Sequence, residues 1–176
     1  MGFLISNVPP NTSRILEVGC GNGNNLQIIS SFFPDIYLEG FDPNIQKTNK
    51  SKVVLSNGSA PEYLKNYGDK AFDLVFTRSV LMYIQPHKIE KTLNEIFRVG
   101  IRCLFIEQDG SKLALSDRIH LIYATYRNLR SYKRHIHLYN YERLLRRKLG
   151  IEAKVSPLPF TWGDLFWDKY GVVISI

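Results

Sequence analysis

The chain has 176 residues, of which 44% are hydrophobic and 22% charged, as in an ordinary soluble domain with a real core. No apolar run approaches the roughly 18 residues of a membrane span, and no basic segment precedes the first apolar run, which argues against a secretory leader. The two cysteines, Cys20 and Cys103, fall in or beside predicted core strands, so we expect buried free thiols in a cytoplasmic protein.

The net charge of +7 is unevenly distributed along the chain. Residues 98–148 hold 12 Lys or Arg and 4 Asp or Glu, whereas the remainder holds 11 basic and 12 acidic residues. A basic segment of this kind favours an anionic partner. A solvated basic helix face would give the same pattern, and both interpretations stay open.

Strand and helix patterns alternate between residues 14 and 107. In chain order they predict a strand at 14–18, a helix at 24–33, a strand at 36–41, a turn at 42–44, a strand at 52–55, a helix at 60–67, a strand at 72–76, a helix at 86–99 and a strand at 103–107. Such alternation predicts a parallel sheet with helices on both faces.

The regular alternation of strand and helix patterns ends at residue 107. The patterns predict a helix at 115–129, a basic aromatic stretch at 131–140, a helix at 141–150 that Gly150 closes, a strand at 151–155, an aromatic loop at 156–171 and a strand at 172–176. The last two strands have no crossover helix between them, so we expect an antiparallel pair at the sheet edge.

Three glycines at alternate positions, Gly19, Gly21 and Gly23, follow the first strand and precede the first helix. Glycine is favoured where φ is positive or where a backbone must approach another group closely. The dinucleotide fingerprint would require glycine at position 24, which is Asn24, and no Gly-Lys-Ser/Thr follows as a phosphate loop would need. A tight turn without a ligand remains the alternative.

The spacing Glu-x-Gly-x-Gly-x-Gly, which starts at Glu17, resembles motif I of the class I S-adenosylmethionine-dependent methyltransferases. In that family the glycine loop lets the backbone approach the methionine and ribose parts of the cofactor. "EGFDPN" at 39–44 places Asp42 where an acidic residue accepts hydrogen bonds from the ribose hydroxyls. "NGSAPEYL" at 57–64 resembles the segment that holds adenine, although Ser59 replaces the frequent Asp. "AFDLVFTRSVLMYI" at 71–84 resembles the fourth motif.

The resemblance implies an α/β fold: a Rossmann-like methyltransferase domain with a seven-stranded, mostly parallel sheet, an antiparallel C-terminal edge pair and helices on both faces. One domain would span 1–176, with a cofactor-binding half at 14–107 and an acceptor-side insert at 108–170. The residues implied to bind S-adenosylmethionine are Glu17, Gly19, Cys20, Gly21, Gly23, Asp42, Pro43, Ser59, Ala60 and Arg78. Asp73 is expected to have a structural place.

Methyl transfer is an in-line displacement in which the cofactor carries the activation, so the family has no universal catalytic residue. Residues 77–80 (Thr-Arg-Ser-Val) lack the Pro-Pro-aromatic pattern of adenine and glutamine methylation, and no Cys lies there to attack a pyrimidine. We therefore expect transfer to oxygen or nitrogen of a small, anionic acceptor. The candidate bases are Tyr83, His87, His120, His135 and His137.

Arginines and a lysine in the basic segment could hold a carboxylate or phosphate on the acceptor: Arg127, Arg130, Lys133 and Arg134. His135 and His137 could form a metal pair, but no further cluster with ligand spacing is evident, so no metal is predicted. The aromatic residues of the C-terminal loop favour core or lid packing over a ligand cage: Phe160, Trp162, Phe166 and Trp167.

Two other functions stay open. The basic 98–148 segment, with its interleaved tyrosines, could contact phosphates and stack bases of an RNA substrate. A non-catalytic scaffold protein could also keep this fold, although the glycine loop and Asp42 are intact. Only about 13 residues precede the first strand, so the sequence could be a fragment, could borrow a cap from a partner subunit, or could use residues 111–130 as a lid.

Overall fold

A seven-stranded sheet forms the centre of the computed structural model, which describes residues 2–45, 52–110, 137–157 and 171–176. The strand order is β3-β2-β1-β4-β5-β7-β6, with neighbours in the first five positions parallel and β7 antiparallel to both β5 and β6. The strands are β1 Arg14–Val18, β2 Tyr37–Asp42, β3 Val54–Asn57, β4 Phe72–Arg78, β5 Gly100–Gln108, β6 Lys154–Pro157 and β7 Gly171–Ser175. The predicted fold, including the antiparallel edge pair, is confirmed.

Four helical segments accompany the sheet in the described part of the chain: α1 Gly2–Ser6, α2 Asn24–Phe32, α3 Ile89–Val99 and α4 Tyr141–Arg143, which continues as a π-helical turn, Leu144–Lys148. Gly150 follows that turn with a φ of +65°, as its predicted role at the helix end requires. Short 3₁₀ turns occur at Tyr63–Asn66 and Leu81–Tyr83. The helix predicted at 60–67 is thus only the first of these turns, because Tyr67 already has extended backbone angles. The predicted helix at 115–129 and aromatic loop at 156–171 lie largely outside the described residues.

The strand predicted at 151–155 is observed as β6, which begins three residues later. Strand β6 begins at Lys154, which pairs with Ser175, and it ends at Pro157, which pairs with Val172. Because β6 is the edge strand, Pro157 can take part without leaving a neighbouring strand short of a hydrogen-bond donor. The register is therefore decided by β7 and not by the local apolar pattern.

Alternation along β1 divides the core between the two faces of the sheet. Ile15 packs in one apolar cluster with residues of α1 and α2, whereas Leu16 packs in the other with residues of α3. Both side chains are fully buried, so helices cover both faces as predicted.

Asp73 ties the start of β1 to β4. Its Oδ2 accepts hydrogen bonds from the backbone N–H groups of Ser13 and Arg14, at 2.8 and 2.9 Å, and from the Ser13 hydroxyl at 2.9 Å. These hydrogen bonds lower the pKa of Asp73, and the bond from the Ser13 N–H has the largest effect. The structural place expected for this residue is confirmed.

No helix in the described ranges is both long enough and apolar enough to cross a membrane.

Candidate functional site

The carboxyl ends of the parallel strands meet at one edge of the sheet and surround a cavity of about 700 Å³. This volume is within the usual range for small-molecule sites, and the position is where α/β sheets bind ligands. Residues of four loops line the cavity: most of 17–25 at and after the end of β1, 41–44 after β2, 59–60 after β3 and part of 78–88 after β4. His137, from a distant part of the chain, lines it too.

Each glycine of the loop after β1 has a positive φ: +72° at Gly19, +53° at Gly21 and +71° at Gly23. A Cβ on Gly19 would lie only 2.5 Å from a methyl carbon of Val80, so the two loops are in direct contact there. A Cβ on Gly21 would have no atom within 4 Å among the described residues, because this glycine borders the open cavity. Gly23 lies outside the cavity lining and caps α2 against Leu55.

Glu17, at the end of β1, is a buried carboxyl group that borders the cavity. Its Oε1 accepts a 2.5 Å hydrogen bond from Asn25 Nδ2, and Asn25 Oδ1 accepts one of 2.9 Å from Arg78. Among the described residues, Glu17 Oε2 has no hydrogen-bond partner. Burial raises the pKa of Glu17 to about 8, so the carboxyl is largely neutral at pH 7 until a cation approaches it.

Asp42 ends β2 and faces the glycine loop. One carboxylate oxygen accepts from the Gly21 N–H at 3.2 Å and the other from the Asn44 N–H at 2.8 Å. Each oxygen keeps a second lone pair, so the side chain can still accept hydrogen bonds from two hydroxyl groups of a ligand. Pro43 and Asn44 border the cavity beside it.

The remaining residues predicted to bind the cofactor also line this cavity: Cys20, Ser59, Ala60 and Arg78. Cys20 and Cys103 are both buried and form no disulfide, as expected. Arg78 is half-buried; burial lowers its pKa, and the nearby Glu17 opposes that shift.

The segment after β4 forms a further part of the cavity lining, called the second wall, and the residues predicted to bind the cofactor form the first wall. Tyr83, Ile84, Gln85 and Lys88 line it, together with His137. The backbone N–H of His137 donates to the Met82 carbonyl at 2.7 Å, which brings this histidine to the wall.

Of the five candidate bases, the structure therefore brings Tyr83 and His137 to the cavity. His87 is exposed and outside the lining, and His120 and His135 lie outside the described residues. The predicted acceptor-binding cations at 127–134 also lie outside them. The described ranges contain no group of three or more His, Cys, Asp or Glu arranged to hold a metal ion.

Three residues at or behind the site have no place in the sequence-based prediction: Asn25, Lys88 and Glu107. Asn25 is one polar residue among several in "NGNNLQ", and Lys88 one of many surface lysines. Glu107 could have been singled out from the sequence, because a charged residue at the end of the otherwise apolar run "CLFIE" indicates a buried carboxyl group. It is fully buried, which raises its pKa to about 7.

Residues 4–148 match the family described as a methyltransferase domain. A solved S-adenosylmethionine-dependent methyltransferase from Archaeoglobus fulgidus is similar in fold, with a TM-score of 0.65 at 15% identity over 94% of this chain and 87% of that one. The plantazolicin methyltransferase BpumL, solved with a desmethylPZN analog and SAH, has a TM-score of 0.59 at 14% identity over 99% of this chain and 79% of that one. An O-methyltransferase family protein from Burkholderia thailandensis has a TM-score of 0.67 at 11% identity, over 98% of this chain and 54% of that one.

The chain belongs to the methyltransferase domain family, because the match covers most of its length. The predicted class of enzyme, an S-adenosylmethionine-dependent methyltransferase, is confirmed.

Proposed function

We propose that this chain transfers the methyl group of S-adenosylmethionine to an oxygen or nitrogen of a small, anionic acceptor. One observation carries the proposal: a single cavity is lined both by the residues assigned to the cofactor and by a second wall with cationic and proton-accepting side chains. Cofactor and acceptor could therefore meet without a change in the fold.

The residues of the first wall fit the cofactor. The unpartnered Glu17 Oε2 is suited to the ammonium of the methionine moiety, which would draw the carboxyl into its charged form. Asp42 retains lone pairs for the two ribose hydroxyls, and the open side of Gly21 allows the cofactor to lie against the backbone. Ser59 and Ala60 would border the adenine.

The second wall favours a negatively charged acceptor. Lys88 borders the cavity there, and among the described residues the acidic groups of the lining are Glu17 and Asp42, which are assigned to the cofactor. The closest approach between Lys88 Nζ and Glu62 is 3.9 Å, between partly exposed side chains, so this ion pair is weak and leaves the lysine able to bind a ligand.

When bound, S-adenosylmethionine supplies a methyl group on a sulfonium centre, so the chain needs to align the acceptor and take up its proton. Tyr83 and His137 border the cavity, which supports assigning proton uptake to one of these side chains. The ring nitrogens of a neutral histidine can accept a proton, which makes histidine a common general base in enzymes. The Met82 carbonyl fixes the backbone of His137, which limits how far this side chain can move from the wall.

The proposal is tested first by calorimetric titration with S-adenosylmethionine and S-adenosylhomocysteine, with Asp42→Ala alongside. Micromolar binding that the variant loses is expected. A set of small carboxylates and phosphates is then compared with their neutral esters in a methyl-transfer assay. Failure of the wild-type chain to bind either cofactor form would overturn the first half of the proposal.

Lys88→Met, with Lys91→Met as control, tests the charge of the acceptor. Lys91 lies in the first turn of α3, three residues after Lys88, but it is exposed and outside the cavity lining. We expect Lys88→Met to raise the KM for an anionic acceptor about tenfold and Lys91→Met to leave it unchanged. Equal turnover of anionic and neutral acceptors by all three proteins would refute the assignment.

RNA is a second candidate substrate, favoured by the exposed arginines Arg143, Arg146 and Arg147 on α4 and its π-helical continuation. Methyl transfer to RNA that weakens steeply between 50 and 200 mM salt, and further in a variant with all three arginines changed to glutamine, would support it.

A further inference from the structure

The Glu107 side chain, near the end of β5, accepts hydrogen bonds from β4 and from the turn that follows β4. Its Oε1 accepts from the Thr77 hydroxyl at 2.7 Å and from the Val80 N–H at 3.1 Å, while Oε2 accepts from the N–H groups of Val80 and Leu81 at 3.1 and 3.2 Å. The side chain is fully buried. A carboxylate thus occupies the interior of the turn that begins the second wall of the cavity.

The turn itself is in a conformation that requires support. Ser79 has a φ of +58°, in the left-handed region that non-glycine residues rarely adopt, and its N–H donates to the Ile106 carbonyl at 3.0 Å. Such a residue keeps its conformation only where its surroundings over-determine it. Glu107 supplies that support, since it binds the N–H groups of the two residues immediately after the kink.

This turn also contacts the glycine loop, which is assigned to the cofactor. A methyl carbon of Val80 lies 2.5 Å from the position that a Cβ on Gly19 would take, and Ser79 and Val80 both line the cavity. A movement of Val80 would therefore alter both the second wall and the surface of the glycine loop. Beyond Val80, the Tyr139 hydroxyl donates to the Ile84 carbonyl at 2.5 Å and so holds the far end of the same segment.

We propose that Glu107 is a positioning residue: through Val80 and Leu81 it fixes the wall of residues 79–84 against the glycine loop, and so sets the shape of the cavity that cofactor and acceptor share. The proposal rests on the proposed function for its effect on methyl transfer. Its structural link can be measured on the protein without any ligand.

The test uses Glu107→Gln and Glu107→Leu, with Thr77→Val as the matched control. Glutamine keeps the shape and one acceptor oxygen, and leucine keeps neither acceptor. Thr77→Val removes a hydrogen bond to the same carboxylate but leaves its bonds to Val80 and Leu81. Amide hydrogen exchange at Ser79, Val80 and Leu81, measured by NMR, reports on the turn. Calorimetry with S-adenosylhomocysteine reports on the cavity, and thermal unfolding on overall stability.

We expect exchange at Val80 and Leu81 to rise about tenfold in Glu107→Gln, and more in Glu107→Leu, while Ser79, whose N–H is bound by Ile106, stays protected. The affinity for S-adenosylhomocysteine should fall in the same order, about tenfold in the glutamine variant. Thr77→Val should lose stability without either change. If the leucine variant does not fold, the glutamine variant alone decides the exchange and affinity comparisons.

Unchanged amide exchange at Val80 and Leu81 in Glu107→Gln would overturn the proposal. The proposal would also be overturned if Thr77→Val lost as much affinity for S-adenosylhomocysteine as Glu107→Gln. Absence of binding by the wild-type chain would instead refute the proposed function, because the exchange measurement needs no ligand.

Discussion

Asn25 donates a 2.5 Å hydrogen bond to one carboxyl oxygen of Glu17, and the other oxygen is buried without a partner among the described residues. A buried, half-satisfied carboxyl is costly unless a ligand completes it. Asn25 also accepts from Arg78, so one amide links the end of β1 to the end of β4. This arrangement supports the proposal that Glu17 binds a cationic group of the cofactor.

Glu17→Gln should weaken binding of S-adenosylhomocysteine by about 10- to 100-fold, the range for a hydrogen bond to a charged group. Calorimetry measures the loss. Glu39→Gln is the matched control, because Glu39 is also a buried glutamate on a central strand but accepts from Tyr37 away from the cavity. An affinity that survives in Glu17→Gln would remove Glu17 from the cofactor site.

The stability of the ligand-free chain should depend on pH through Glu17. Burial raises its pKa from an ordinary 4.5 to about 8, so between these values the folded chain binds a proton that the unfolded chain releases. The free energy of unfolding therefore falls as pH rises through this window. Glu107, whose pKa burial raises to about 7, acts in the same direction.

Urea unfolding of the wild-type chain and Glu17→Gln at pH 5, 6.5 and 8 isolates the contribution of Glu17. The variant should gain stability relative to the wild-type chain as pH rises, because it no longer buries a group that ionises when unfolded. A difference between the two proteins that stays constant with pH would show that Glu17 does not titrate in this window.

Asp42→Asn should bind S-adenosylhomocysteine about tenfold more weakly, and Asp42→Ala more weakly still. The asparagine keeps one acceptor oxygen, whereas alanine also frees the Gly21 N–H that Asp42 holds at 3.2 Å. Calorimetry on both variants, with the exposed Asp35→Asn as control, measures the two steps. Equal affinity of Asp42→Asn and the wild-type chain would mean that the ribose hydroxyls are held elsewhere.

Gly19→Ala and Gly21→Ala should differ in their effects on stability and on cofactor binding. Alanine at position 19 meets a φ of +72° and overlaps Val80, so we expect a loss of about 2–4 kcal/mol in stability. Alanine at position 21 meets a φ of +53° but open space, so the loss should be about 1–2 kcal/mol while the new methyl group obstructs the cavity.

Urea unfolding measures the loss of stability, and calorimetry with S-adenosylhomocysteine measures the loss of binding. Adding Val80→Ala to Gly19→Ala should restore part of the stability, because it removes the overlapping methyl groups. Gly21→Ala that binds like the wild-type chain would contradict the position given to the cofactor.

Most of the fold could be predicted from local patterns. The alternation of apolar strands and amphipathic helices predicts the parallel sheet, since strands such as Phe72–Arg78 read as apolar runs only when both faces are covered. The strand Lys154–Pro157 could not be placed this way, because its register depends on pairing with Gly171–Ser175, which lies far along the chain.

The sequence by itself determined the glycine loop and the position of Asp42, because a positive φ and a strand-end carboxylate are local requirements that particular residues meet. The class of enzyme followed from the resemblance of these segments to the motifs of a known family. Only the tertiary structure decided which candidate bases reach the cavity, and only it revealed Asn25 and Glu107. These two act through hydrogen bonds to Glu17, 8 positions away, and to Val80, 27 positions away. No periodicity encodes such bonds, since they exist only once the strands have packed side by side.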